Sequence, residues 1–109
     1  MKSVAVIGGG PAGLMAAEVL SKAELEVAVY EAKSSLGRKF LVAGKGGLNL
    51  THAEPIAAFL SRFGSRSDVI QRMLSQFGPN EVKQWVQSFG INTFVGPSGR
   101  VFPEDMKAL

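Results

Sequence analysis

The chain has 109 residues, 46% of them apolar and 19% charged, with a formal net charge of +3. That is an ordinary globular balance with room for one small domain, and it excludes a disordered or low-complexity chain. No Cys is present, which removes disulfides, thiolate zinc sites and dithiol redox chemistry from this stretch and suits a reducing cytoplasm.

Six Lys and Arg precede His52 and six follow it, interspersed with acids, so no basic stripe marks a nucleic-acid partner. One His cannot build a metal site alone, and His52 reads as a solvated loop residue. The apolar start after Lys2 has the layout of a secretory leader. Gly8-Gly9-Gly10-Pro11 would break the helix that a leader forms, and the weakly polar stretch is too short to span a bilayer. No membrane partner is expected.

The first element is Val4-Ala5-Val6-Ile7, an apolar run of the length expected for a strand buried on both faces. Leu14, Ala17 and Leu20 then recur at helical spacing, with Met15, Ala16 and Val19 widening the apolar surface for packing on a sheet. Between strand and helix sits Gly8-x-Gly10-x-x-Gly13. Gly8 permits the tight turn, Gly10 has no Cβ to hold a pyrophosphate off the backbone, and Gly13 lets the helix lie close on the strand. Pro11 falls near the first helical position, where its missing N–H costs nothing. The free N–H groups of that first turn, with Ala12 among its residues, face the phosphates.

A second strand, Val27-Ala28-Val29-Tyr30, follows and ends in Glu31, eighteen residues after Gly13. This spacing suits a carboxylate that accepts hydrogen bonds from a ribose, and its charge disfavours a 2′-phosphate there. Glu24 stands where such units often place a Gly to end the helix. Strand, glycine turn, helix, strand and acid together predict a Rossmann-like α/β unit that binds a dinucleotide; the fingerprint alone does not separate FAD from NAD.

Residues 31–52 then carry Gly37-Arg38-Lys39, Gly44, Gly46, Gly47 and Asn49. A Gly-rich basic loop of this kind offers amides and cations to a long ligand, and composition leaves a plain surface loop as an equal reading. Thr51 and Glu54 match a capping box. Three helical patterns follow: Ile56, Phe59, Leu60 and Phe63; then Val69, Ile70, Met73, Leu74 and Phe77, entered through Ser65 or Ser67 and left at Gly78-Pro79; then Val82, Trp85, Val86 and Phe89, stopped by Gly90. At this spacing Trp85 and the Phe residues read as core. Residues 91–103 read as two short strands around Gly96-Pro97-Ser98-Gly99. Arg100 reads as a solvated hairpin end, and Pro103 with Glu104 and Asp105 reads as a helix start.

The stretches "VIGGGPAGLMAA", Glu31, "LGRKFLVAGKGGLNLTH" and "GRVFP" resemble the N-terminal part of the bacterial BaiN-like flavoproteins, a group also called YhiN-like or HI-type NAD(P)/FAD-dependent oxidoreductases. The resemblance covers essentially the whole chain. It implies that Gly8, Gly10, Pro11, Ala12 and Gly13 hold the pyrophosphate of FAD and that Glu31, with Ala32 beside it, holds the adenosine ribose. It further implies that Arg38 and Lys39 line the adenosine diphosphate, and that Gly44, Gly46 and Asn49 run toward the flavin. The family commonly reads Gly-Gly-Gly-Arg-Cys-Asn where this chain has Gly44-Lys45-Gly46-Gly47-Leu48-Asn49, so any role of that Arg and Cys does not carry over.

The expectation is therefore an incomplete domain: residues 1–52 form the front of an FAD-binding Rossmann-like unit, and residues 53–109 form a helical segment plus hairpin that leads into the remainder of its own chain. The whole would be a cytoplasmic FAD-dependent oxidoreductase, with NAD(P)H as co-substrate and a small organic acceptor; no residue of this segment is assigned as catalytic. A non-flavin NAD-binding dehydrogenase domain and a non-catalytic nucleotide-binding module are the alternatives.

Overall fold

The computed structural model describes residues 2–42 and 47–106. They fall into two compact units, one within residues 1–43 and the other within 44–107.

In the first unit, strand β1 (Ser3–Ile7) and strand β2 (Glu26–Tyr30) pair in parallel, with Val4 opposite Val27 and Val6 opposite Val29. Helix α1 (Pro11–Lys22) bridges them and packs on both. This is the parallel β-α-β unit of a Rossmann-like fold. Because side chains alternate along a strand, Val4, Val6, Val27 and Val29 share the half-buried face, while Ser3, Ala5, Ile7, Glu26, Ala28 and Tyr30 share the exposed one. The apolar run predicts burial on both faces. Within the described residues only one is covered, and Ile7 on the other is 80% exposed. The physical reason is that, among the described residues, α1 is the helix with substantial packing on these two strands.

Helix α1 starts without a side-chain cap: Gly10 is its extended N-cap and Pro11 occupies the first position. It ends through N–H groups of Ala23 and Glu24 that donate to the carbonyls of Leu20 and Ser21. Glu24 takes φ +60°, the left-handed conformation that a glycine adopts without strain. The departure visible in the sequence at this position is thus a strained helix exit. A second helix, α2 (Arg38–Val42), forms within the stretch that composition reads as loop; it begins where Leu41 N–H donates to the Gly37 carbonyl.

The second unit centres on a three-stranded antiparallel sheet. Strand β3 (Thr51–His52) and strand β4 (Thr93–Val95) flank β5 (Arg100–Pro103), in the order β3-β5-β4. Val101 of the central strand is fully buried, and Val86 and Leu48 join it in the core. Helices α3 (Ile56–Ser61), α4 (Ser67–Leu74) and α5 (Pro79–Gln87) follow the three sequence patterns, with a 3-10 turn at Gly64–Arg66 leading into α4. The Ser67 hydroxyl donates to the carbonyls of Leu60 and Gly64, tying α4 to the end of α3. Helix α5 packs on β3 and β4. At its start, Glu81 accepts a hydrogen bond from the Gly78 N–H at 2.9 Å.

Several expectations are corrected here. Thr51 and Glu54 do not cap a helix: Thr51 lies in β3 opposite Val101, Pro55 is the N-cap of α3, and Glu54 instead accepts hydrogen bonds from Arg62. Sheet pairing and an ion pair win over the local signature. Pro103 does not open a helix either, because it is the last residue of β5, paired with Thr93. Beyond it Met106 turns back with φ +63° and its N–H on the Pro103 carbonyl. His52 is a strand residue with both ring nitrogens engaged: Nδ1 accepts from the Glu54 N–H at 3.1 Å, which leaves Nε2–H to donate to the Ser98 carbonyl at 3.0 Å. The aromatic residues pack in pairs, Phe59 with Phe63, Trp85 with Phe89 and Phe94 with Phe102, yet Phe89 is 59% exposed. The periodicity finds the helices, but the described residues do not cover their apolar faces fully.

Glu24→Gly removes the strain of a left-handed side-chain residue, about 1–2 kcal/mol, and gives part of it back as unfolded-chain entropy, about 0.5–1 kcal/mol. We expect a net stabilisation of about 0.5–1 kcal/mol. Urea unfolding of the full-length protein measures it, and an unchanged or lower midpoint contradicts the strain.

Candidate functional site

The site is the turn between β1 and α1. Gly8 leaves the strand with φ +102°, and its N–H donates to the Tyr30 carbonyl at 2.7 Å, sealing the end of the sheet. A Cβ on Gly13 would collide with the Gly8 carbonyl oxygen and lie 3.4 Å from Val6 Cγ1. Helix and strand thus touch through backbone at this point. Gly10 is different in kind: a Cβ there would meet nothing within 4 Å. The Gly10 N–H donates to no group among the described residues, and the first-turn N–H groups of α1 have no intrahelical acceptor. Open space beside free donors at the positive end of a helix dipole is the arrangement that accommodates an anion such as a diphosphate.

Glu31 sits directly beside this turn. Its Oε1 accepts the Gly9 N–H at 2.9 Å and its Oε2 accepts the Lys33 N–H at 2.9 Å. Those two bonds, Lys33 first and Gly9 second, hold the carboxyl below its ordinary acidity range, so it is ionised at neutral pH. Each carboxylate oxygen retains a further lone pair. A fixed, charged acceptor next to the glycine turn fits ribose hydroxyls and repels a 2′-phosphate.

Gly8, Gly10, Pro11, Ala12, Gly13 and Glu31 are brought together by the β-α-β geometry. Ala32 is exposed just after Glu31. Arg38 and Lys39 lie on α2 rather than in a loop; both are exposed, and Arg38 Nη2 donates to Ser34 Oγ at 3.1 Å. Gly44 and Gly46 lie outside the described residues. Asn49 is exposed in the second unit, between Leu48, whose N–H donates to the Met106 carbonyl, and Leu50, whose N–H donates to that of Val101.

Sequence reasoning gives Gly9 and Leu36 no role and reads Gly37 only as part of a Gly-rich basic loop. Gly9 is buried, its N–H is on Glu31, and its carbonyl accepts the Gly37 N–H at 2.7 Å. A Cβ on Gly9 would run into Leu36 Cδ2. The available signal was Gly37 itself, a single glycine between Leu36 and the short helical run that starts at Arg38. Among the described residues no group of His, Asp or Glu could hold a metal ion, and no helix is long and apolar enough to cross a membrane.

Parallel strands, a side-chain-free turn at a helix mouth and an acid at the end of the second strand define a Rossmann nucleotide-binding unit. The model of the HI0933-like protein Rossmann domain matches residues 2–109, and the chain belongs to that family. It is 29% identical over 110 residues to the 3-dehydro-bile acid delta(4,6)-reductase of Clostridium scindens, a match that covers 99% of this chain and 26% of that protein. It is also 43% identical over 63 residues to the thiamine thiazole synthase of Methanosarcina barkeri, covering 58% of this chain and 24% of that protein. The Pyrococcus horikoshii thiamine thiazole synthase is 32% identical over 69 residues, 63% of this chain and 27% of that protein. The chain thus spans about a quarter of the length of these curated relatives.

Two measurements check this geometry. Gly13→Ala, which forces a methyl into the Gly8 carbonyl, should cost about 1–3 kcal/mol or more in unfolding free energy; a neutral effect contradicts the backbone contact. Glu31 has a lowered folded-state pKa, so the stability it lends is present above the ordinary carboxylate range and lost as pH falls through its depressed value. The Gly9 and Lys33 amide resonances should therefore move together in acid, below the range in which an ordinary Glu titrates. Independent or absent movements contradict the shared carboxylate.

Proposed function

We propose that this chain forms the FAD-binding front of a flavin-dependent oxidoreductase that uses NAD(P)H to reduce an unsaturated organic acceptor. The observation that carries the reading is the contrast at the turn: Gly13 is packed solid against backbone, whereas Gly10 opens onto free space beside unpaired N–H groups and the anchored Glu31. A flavin bound there supplies the hydride chemistry, and this segment's residues bind and orient the adenosine-diphosphate end. Backbone donors at the mouth of α1 neutralise the diphosphate, and Glu31 holds the ribose. The exposed cations Arg38 and Lys39 add positive charge one short helix away.

The choice of FAD over NAD rests on the resemblance of "LGRKFLVAGKGGLNLTH" and "GRVFP" to flavoproteins. The choice of acceptor is supported by the relative from Clostridium scindens, a 3-dehydro-bile acid delta(4,6)-reductase. The remainder of a longer chain is the expected partner. It would cover the exposed face that carries Ile7 and Tyr30 and supply the walls around the flavin, in keeping with relatives about four times as long. The setting in this reading is the cytoplasm.

The absorption spectrum of the purified full-length protein tests the proposal. Flavin bands near one per chain are expected, and a colourless protein that takes up NAD would instead make it a non-flavin dehydrogenase. Gly10→Val should abolish flavin retention with little change in the unfolding midpoint, because the new side chain points into open space. Full flavin content in that variant overturns the placement of the diphosphate.

A further inference from the structure

The loop after β2 is fastened to the glycine turn at three points, and all three meet at Gly9. Glu31 Oε1 takes the Gly9 N–H, the Gly37 N–H takes the Gly9 carbonyl at 2.7 Å, and Leu36 Cδ2 closes over the Gly9 Cα. Gly9 and Gly37 are both buried although their neighbours Ala32 to Leu36 are exposed. Gly37 reaches Gly9 only by adopting φ +64°, and its own Cβ position lies 3.5 Å from Leu14 Cδ1 on α1.

A peptide unit is planar and trans, so its C=O and N–H point in opposite directions. Holding the Gly9 carbonyl against Gly37 therefore aims the N–H of the same unit, which belongs to Gly10, away from residue 37. Gly10 is the residue whose surroundings are open. Without the clasp this glycine-rich turn has wide conformational freedom, and the Gly10 N–H would have to be oriented anew at each binding event.

The geometry points to Leu36-Gly37 as a positioning clasp for the diphosphate of an adenine dinucleotide: it fixes the Gly9–Gly10 peptide so that the Gly10 N–H is aimed before the ligand arrives. This deepens the nucleotide reading above and rests on it. Neither residue is asked to touch the ligand. The contribution is preorganisation of a backbone donor, comparable in size to one hydrogen bond to a charged group.

Full-length protein stripped of nucleotide and titrated with FAD, with ADP and with adenosine tests the clasp. Gly37→Val puts a β-branched residue at a left-handed position and should weaken FAD and ADP about tenfold or more while leaving adenosine within about twofold. Gly37→Asn, which tolerates that conformation, should restore ADP binding to near the wild-type value. Leu36→Ala, which uncovers Gly9 without touching the backbone bond, should give the same split in milder form. Unchanged ADP affinity in Gly37→Val overturns the clasp, and so does a parallel loss of ADP and adenosine, which would mark a merely structural glycine. Wild-type protein that binds neither FAD nor ADP would bring down the nucleotide reading and the clasp with it, and is told apart by the absence of any wild-type titration.

Discussion

The contact between the Gly8 carbonyl and the bare Cα of Gly13 governs the first unit. Helix α1 cannot lie this close to β1 if residue 13 carries a side chain. Once that contact is made, the remaining geometry follows. The chain leaves β1 through a left-handed Gly8, Pro11 falls at the first helical position, and the axis of α1 carries the chain back to lay β2 beside β1 in register. The parallel pairing in turn delivers Glu31 to the glycine turn, because Tyr30 sits opposite Ile7 and its carbonyl receives the Gly8 N–H. A single missing methyl thus connects the sequence motif with the position of an acid eighteen residues later.

The second unit is held by a different logic, burial around one strand. Val101 is fully buried, and it lies in the middle strand of three. Around it, polar groups close the edges. Arg62 forms a two-point ion pair with Glu54, Nη2 to Oε2 at 2.6 Å, and lowers the pKa of that carboxyl. His52 bridges its own loop to the Ser98 carbonyl while Gly99 lies against its ring. Exposed pairs of this kind contribute little energy individually. Their effect is to choose one register for short strands that could slip.

What could be read from the sequence follows the range of the interaction responsible. The β-α-β unit, the three helices of the second half and the hairpin around Gly96–Gly99 are written in local periodicity and turn chemistry, and the structure has them where those signals stand. Features set by long-range pairing were misread or missed. Thr51-x-x-Glu54 satisfies the local rule for a helix cap, but Thr51 is claimed by β5, some fifty residues away, and Glu54 by Arg62. Pro103 satisfies the rule for a helix start, but its strand pairs with Thr93. Gly9 is an unspecified position of the Gly8-x-Gly10-x-x-Gly13 pattern. Its burial depends on Leu36 and Gly37, which no window around the motif contains.

The glycines of the turn also separate two demands that a sequence pattern merges. Gly13 is required by the fold, since its Cβ would strike backbone. Gly9 is required by the loop that covers it. Gly10 is required by neither, since a side chain there would project into empty space. Glycine raises the conformational entropy lost on folding, so its presence at a position where the fold has room for a side chain works against stability. Such a residue is the kind expected where backbone must approach something outside the protein. On the proposed reading that something is a diphosphate, and Gly10 is then the one glycine of the motif whose cost is offset by binding and not by folding.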